Sequence, residues 1–318
     1  MSKLVLHIGT HKTATTTIQR SLHLNRTEAF KAGLVYPDLP RQHHGLVADW
    51  IRLPEFYHYP AGAKAHWQHI TKVNSGTDRT VLISTEELSR GTPDNQVNFS
   101  ELRELVAAFD EVEVVCFLRD QLSLIQSIFF EVFRKHGKLG WNNYLALCFR
   151  DRLATGVFLD YGKLYDLLLT HFSEDEITFL PFRPSGQAVS PLNALLSHIG
   201  FSNLIGKIKQ EDANRSAEPL ATWLSVLINH PDGFDADLAT TILPLFDGKK
   251  TSMYTSAEAK RVVDFFEPLN AAFLERYPGL TASDLAMQQP LEDEYFFRDQ
   301  VRTPVWIELA RLMRNETS

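Results

Sequence analysis

The feature that most constrains this chain is a junction near its start. The apolar run Leu4-Val5-Leu6-His7-Ile8 passes directly into Gly9-Thr10-His11-Lys12-Thr13-Ala14-Thr15-Thr16-Thr17-Ile18-Gln19. The run reads as a buried strand, the middle as a tight basic turn, and the threonines as the first turn of a helix. Amides left without acceptors at a helix start, together with the positive end of its dipole, hold an oxyanion. Lys12 adds a mobile full charge, and Thr15, Thr16 and Thr17 add hydroxyl donors. The expected anion is the 5′ end of a nucleotide.

The common nucleotide loop places Gly-Lys-Ser/Thr after four variable positions. Here the lysine follows Gly9 by three residues, and Ala14-Thr15 occupy the positions where Gly-Lys would fall. The pattern is therefore neither that of an ATPase nor that of a GTPase. Ala14 admits two conformations. At positive φ alanine costs about 1 kcal/mol or more; as the first helical residue it costs nothing. A helix continuing through Ile18 and Leu22 favours the second.

Further strand-like runs occur at Thr80–Ser84, Glu113–Leu118 and Ile177–Pro181, with the first spanning Lys3–Ile8. They are continuously apolar rather than alternating, which suits a parallel sheet covered on both faces. Helical patterns lie between them: Ile18 and Leu22, then Leu102, Leu105 and Val106, then Leu122, Ile125, Phe129, Val132 and Phe133. The alternation predicts a doubly wound α/β fold with a parallel sheet flanked by helices. Beyond residue 185 helices dominate, with candidates at Ser190–Ile199, Glu218–Asn229 and Ala257–Phe273. One domain over residues 1–318 is expected, with residues 1–185 as the nucleotide-binding core and 186–318 as a mainly helical part. Leu34–Gln68, rich in Pro, His, Tyr and Trp, reads as a long loop with short helices that builds a substrate site.

Ligands of open parallel sheets bind at the carboxyl ends of the strands. Val114-Val115-Cys116-Phe117-Leu118 ends there in Arg119-Asp120, and Ser127 follows two turns into the next helix, with Ser123 on the same face. An arginine and a serine so placed can clamp a second phosphate; alternatively, Arg119 and Asp120 form an ion pair that caps the helix.

Two motifs about 110 residues apart, each at a strand-to-helix turn, carry a resemblance. Gly-x-x-Lys-x-Ala-Thr-Thr resembles the 5′-phosphosulfate loop of the sulfotransferases that use 3′-phosphoadenosine 5′-phosphosulfate (PAPS). Leu118-Arg119-Asp120 with Ser127 resembles their 3′-phosphate segment, with Gln121 where proline is common. Ala32-Gly33-Leu34-Val35-Tyr36-Pro37 is similar to bacterial carbohydrate-type members. The resemblance covers residues 1–135. It implies a P-loop-type fold and PAPS as co-substrate, with 3′-phosphoadenosine 5′-phosphate (PAP) as product. Gly9, Thr10, His11, Lys12, Thr13, Ala14, Thr15, Thr16, Thr17, Arg119 and Ser127 would be the cofactor contacts. Arg215, in Asn214-Arg215-Ser216, is a further candidate contact, the alternative being a solvated Arg215 beside a Ser216 helix cap.

Sulfuryl transfer needs alignment of acceptor, sulfur and leaving oxygen, with charge stabilised on the oxygens. The leaving group is already a good one, so no metal is expected. Lys12 is the expected stabiliser of the leaving oxygen. The acceptor must lose a proton to a base. Glu86 is the first candidate and Glu87 the second, since adjacent side chains of an extended chain point apart; both could instead cap the following helix. His11 lies in the loop, His7 reads as a core histidine, and His43, His44, His66 and His69 are lesser candidates. Trp50, Trp67 and Tyr57 could stack on a sugar or pack in the core.

Net charge −7 disfavours a nucleic-acid partner. Cys116 and Cys148 read as buried thiols of a reducing compartment. No run approaches the ~20 apolar residues needed to cross a bilayer, and the first strand begins at Lys3, leaving no room for a secretion signal. The expectation is thus a cytoplasmic sulfotransferase acting on a hydroxyl of a small-molecule or saccharide acceptor, a carbohydrate or glycolipid. The alternatives are a P-loop kinase or other phosphotransferase, and a non-catalytic nucleotide-binding homologue. Neither the particular acceptor nor the oligomeric state is legible.

Overall fold

Leu4, Val5 and Leu6 are wholly buried in β1 (Lys3–His7), the middle strand of a five-stranded sheet. The computed structural model describes residues 1–40, 42–92, 94–183, 189–210 and 218–316. The chain then forms α1 (Thr15–Leu24), α2 (Arg26–Lys31), β2 (Leu34–Val35), α3 (Ala63–Asn74), β3 (Thr80–Ser84), α4 (Phe99–Val106), β4 (Glu111–Leu118) and α5 (Gln121–His136). The sheet order is β2-β3-β1-β4, with Ile177–Pro181 beyond β4. Every pairing in it is parallel. The α/β architecture with a helix-flanked parallel sheet is therefore as the strand–helix alternation predicts.

The chain segregates into two compact units. The first comprises Met1–Arg119, Gly156–Ala213 and Asn270–Leu285, and the second Asp120–Thr155, Asn214–Leu269 and Ala286–Ser318. In the first, Val5, Leu82, Val115 and Phe117 form one face of the sheet. They are buried with Ile18 and Leu22 of α1 and with Leu192, Leu195 and Leu196 of the Pro191–His198 helix. The residues of opposite parity, Leu4, Leu6, Val81, Ile83, Val114 and Cys116, are equally inaccessible. Coverage on both faces explains why these strands lack alternation.

In the second unit, Leu122, Ile125, Phe129 and Phe133 of α5 are buried. Phe129 packs edge-on against Trp141 of the Trp141–Asp151 helix, ring centres 5.0 Å apart. The Tyr144 and Tyr254 hydroxyls donate to the α5 carbonyls of Ile125 and Leu122, both at 2.8 Å. A short parallel pair, Lys250–Ser252 with Tyr295–Phe297, lies in a stretch read from sequence as helical. Three residues of strand are too few to stand out from flanking helical patterns.

The expected loop over Leu34–Gln68 needs correction at both ends. It opens with the edge strand β2, and α3 begins at Ala63. Trp67 and Ile70 sit at helical spacing and are buried, and the Trp67 indole donates to the Leu46 carbonyl at 2.8 Å. Trp67 is a core residue, and the Trp50 indole is held by Glu101 at 2.8 Å. Cys116 and Cys148 are both buried and in no disulfide. Burial pushes the Cys116 thiol up strongly and that of Cys148 to about 12. Among the described residues, no helix is long and apolar enough to cross a membrane.

Candidate functional site

The register of the sheet brings the carboxyl ends of three strands to one edge. His7 is opposite Ser84 of β3 and Val115 of β4. The β1 ladder continues past His7: the Ile8 amide donates to Val115 O at 2.9 Å, and the Thr10 amide to Phe117 O at 3.0 Å. Continuing this pairing carries the basic turn alongside the end of β4, where Arg119 emerges. There the Arg119 guanidinium donates from Nη1 to the Lys12 carbonyl at 2.9 Å. It also lies over the Phe182 ring, 5.3 Å from its centre. The Arg119 carbonyl accepts a hydrogen bond from the Tyr161 hydroxyl. Two motifs far apart in sequence thus meet through a charged hydrogen bond.

The turn is built on left-handed backbone. Lys12 has φ 63° and Ala14 φ 60°. Ala14, with ψ 21°, is the N-cap of α1 and offers no side-chain hydrogen bond. This corrects the expectation that Ala14 is an unstrained first helical residue: it occupies the conformation that favours glycine. The Thr17 and Ile18 amides bond to the Ala14 carbonyl, whereas those of Thr15 and Thr16, ahead of them in the first turn, have no intrahelical acceptor. A helix start that lacks a capping side chain is suited to capping by an anion.

The threonines divide into two sets. Thr13 donates to the Thr10 carbonyl at 2.6 Å and Thr15 to the same carbonyl at 3.2 Å. Thr10 itself donates to Phe117 O at 3.3 Å. These three hydroxyls are buried and shape the turn. Thr16 is exposed and Thr17 half-buried, so their hydroxyls are the accessible ones.

Glu86 is packed against the turn. A Cβ on Gly9, which has φ 93°, would lie 2.9 Å from Glu86 Cβ and 3.2 Å from its Cα. Glycine is therefore required at position 9 for close approach as well as for its backbone angle. The half-buried Glu86 carboxylate accepts from Gln19 Nε2 at 2.9 Å. Glu87 is oriented differently. Its buried carboxylate accepts from Arg90 at 2.7 and 3.3 Å and lies 3.9 Å from His11 Nε2. Burial alone would raise the Glu87 pKa, but the Arg90 hydrogen bond and charge, with His11 and His44, hold it below the usual carboxylate range.

Histidines line the same strand ends. His7 Nδ1 is 2.8 Å from Ser84 Oγ, and His44 Nδ1 is 2.7 Å from Thr85 Oγ1. The Ser84 amide donates to His43 Nδ1 at 3.2 Å, so His43 carries its proton on Nε2. Burial lowers His7 and His43 to about 3, which leaves both neutral. His66 and His69 sit on α3, away from these strand ends in sequence.

Ser127 is half-buried on α5, in the second unit. The carboxylate of Asp120 caps that helix, accepting from the Ser123 amide at 2.9 Å and from the Ser123 hydroxyl. Ser123 is accordingly engaged in the cap. Arg215 lies outside the described residues. Sequence reasoning missed Gln19 and the Arg119–Lys12 bond. The Gln19 position, between Ile18 and Leu22 on an amphipathic helix, was the available signal, because a polar residue buried there needs a partner. Among the described residues, no group of three or more His, Cys, Asp or Glu side chains is arranged to hold a metal.

No protein-family model matches this chain, and no curated protein does. Among solved structures it is similar to a sulfotransferase from Alicyclobacillus acidocaldarius, at 12% identity with a TM-score of 0.48. That similarity covers 88% of this chain and 97% of the other. It is also similar to retinol dehydratase in complex with androsterone and inactive cofactor PAP, at 12% identity with a TM-score of 0.29. There the coverage is 99% of this chain and 80% of the other. A complex of retinol dehydratase with retinol and PAP gives 10% identity and a TM-score of 0.31, with the same coverages.

Proposed function

We propose that this chain is a PAPS-dependent sulfotransferase that transfers a sulfuryl group to a hydroxyl of an acceptor, a carbohydrate or glycolipid. The observation that carries the reading is the Arg119–Lys12 bond at the uncapped start of α1. It fastens one cationic side chain to the backbone of the turn that carries the other, which suits a carrier with phosphate groups at both ends. The residues present fit PAPS, which would supply an activated sulfuryl group on a phosphate leaving group.

In this reading the amides of Thr15 and Thr16 and the hydroxyls of Thr16 and Thr17 bind the 5′ end. Gly9 allows the turn to approach closely. Lys12 stabilises negative charge developing on the leaving oxygen, where a preformed charge is worth most. Arg119 binds the 3′-phosphate while supporting the turn from behind Lys12. Glu86 takes the proton of the acceptor hydroxyl; Glu87, held by Arg90, supports the turn through His11. A cytoplasmic location and the treatment of residues 1–318 as one domain belong to the same proposal.

The test is transfer from ³⁵S-labelled PAPS to a panel of glycosides, comparing the wild type with Lys12→Ala. The expected result is a kcat loss of about 10²–10³-fold in the variant, with a much smaller loss of PAP affinity. A lysine acting in the transition state affects rate more than binding. Equal losses in rate and affinity, or no transfer by the wild type, would contradict the proposal.

A further inference from the structure

Gln19 is fully buried on α1, between the core residues Ile18 and Leu22. Its Nε2 donates twice, to the Ser84 carbonyl at 3.2 Å and to Glu86 Oε2 at 2.9 Å. A carbonyl and a carboxylate are acceptors only, so the amide orientation follows from its partners. At the other end, Gln19 Oε1 is buried with no hydrogen-bond partner among the described residues. An unpaired buried amide oxygen is destabilising, and an apolar side chain would fill the same space without it. Packing therefore does not account for a glutamine here, whereas holding Glu86 does.

The two donated bonds have a geometric consequence. Ser84 ends β3 and Glu86 begins the 3₁₀ turn Glu86–Ser89. One rigid amide thus ties the strand end and the Glu86 side chain to α1, whose first turn forms the anion site. The base and the anion site are fixed to each other through a single helix.

We propose that Gln19 is a positioning residue that holds Glu86 Oε2, leaving Glu86 Oε1 to accept the proton of the attacking hydroxyl. This rests on the reading of Glu86 as the base given above. As the bond from acceptor oxygen to sulfur forms and the bond from sulfur to the phosphate oxygen breaks, the proton passes to Glu86. Gln19 neither gains nor loses one. The arrangement follows the general pattern of a base oriented by a third group.

The experiment compares Gln19→Met, which keeps the length and shape but removes the donor, in the wild-type and Glu86→Gln backgrounds. Transfer from ³⁵S-PAPS to 4-methylumbelliferyl glycosides gives kcat, and calorimetry with PAP gives nucleotide affinity. Gln19→Met is expected to lower kcat by about 10- to 100-fold and to leave PAP affinity within about twofold. In the Glu86→Gln background it should cause no further loss, because the group it positions is gone. Unchanged kcat, a parallel fall in PAP affinity, or an equal loss in both backgrounds would overturn the positioning role. If Gln19→Met fails to fold, Gln19→Leu, which also removes the donor without adding a charge, makes the same comparison with the same outcomes. A wild type that binds PAP and transfers sulfate, combined with an unchanged Gln19→Met, refutes this inference alone. A wild type that transfers nothing refutes the proposed function and this inference with it.

Discussion

The guanidinium of Arg119 donates to the carbonyl of Lys12 across 2.9 Å. The arginine at the end of β4 is therefore part of the wall of the Lys12 turn. A charged hydrogen bond to a half-buried backbone oxygen is stronger than a neutral one, and it supports a lysine held at positive φ.

Arg119→Ala is accordingly expected to affect both ends of the nucleotide. Loss of a hydrogen bond from a charged group costs about 1.5–3 kcal/mol, or roughly 10- to 150-fold in affinity. Calorimetry should show PAP affinity falling by that factor and the preference for PAP over 5′-AMP shrinking. Affinity for 5′-AMP should also fall, by a smaller factor, because the turn loses its support. An unchanged preference for PAP would refute the assignment of the 3′-phosphate to Arg119.

Ala14→Gly should stabilise the protein. Ala14 sits in left-handed backbone, which costs an L-residue with a Cβ about 1–2 kcal/mol. Glycine removes that cost but gains entropy in the unfolded chain, about 0.4–1 kcal/mol in the opposite direction. The net expectation is about 0.5–1 kcal/mol in favour of glycine, read from the urea midpoint at constant slope. A lower midpoint for the glycine variant would refute the left-handed assignment.

Stability should fall as the pH drops below about 6.5. His7 and His43 are held near 3 in the folded protein by burial, whereas an unfolded histidine titrates near 6.5. Between those values the unfolded chain binds more protons than the folded one, so acid favours unfolding. Each histidine contributes up to about 1.4 kcal/mol per pH unit across that window. At lower pH Glu113 adds to the loss. Burial would raise its carboxyl, but His198 and Lys3 outweigh that and hold it at about 2. Its contribution is present above the unfolded value and disappears as the pH falls through the folded one. Urea unfolding from pH 7.5 to pH 5 should show the slope, and His43→Gln should flatten it. A flat wild-type profile would contradict two neutral buried histidines.

Much of the sheet and of α5 was legible because their signals are local. The apolar runs at Leu4–Leu6 and Val81–Ile83 and the stripe of Leu122, Ile125 and Phe129 read directly as the strands and helix that form. Arg119, Lys12 and Glu86 could each be placed at a strand end from spacing alone. Their mutual geometry could not be read, because it depends on how far β4 runs past β1, a register that sequence does not encode locally. Ala14 departs from its expected place for a different reason: a first helical residue and a left-handed N-cap differ by one position, and sequence patterns do not fix helix ends to one residue. Leu34–Val35 and the Lys250–Ser252 pairing escaped because strands this short have no period to detect. Glu86 and Glu87 could be separated only by their partners, Gln19 for one and Arg90 for the other.

The most direct measurement is calorimetric titration of the protein with PAP, 5′-AMP and ATP with Mg²⁺. If one adenosine carrier spans the Lys12 turn and the Arg119 guanidinium, PAP should bind at least tenfold more tightly than 5′-AMP, and ATP with Mg²⁺ should not displace it. Equal binding of PAP and 5′-AMP, or tighter binding of ATP with Mg²⁺, would contradict the account.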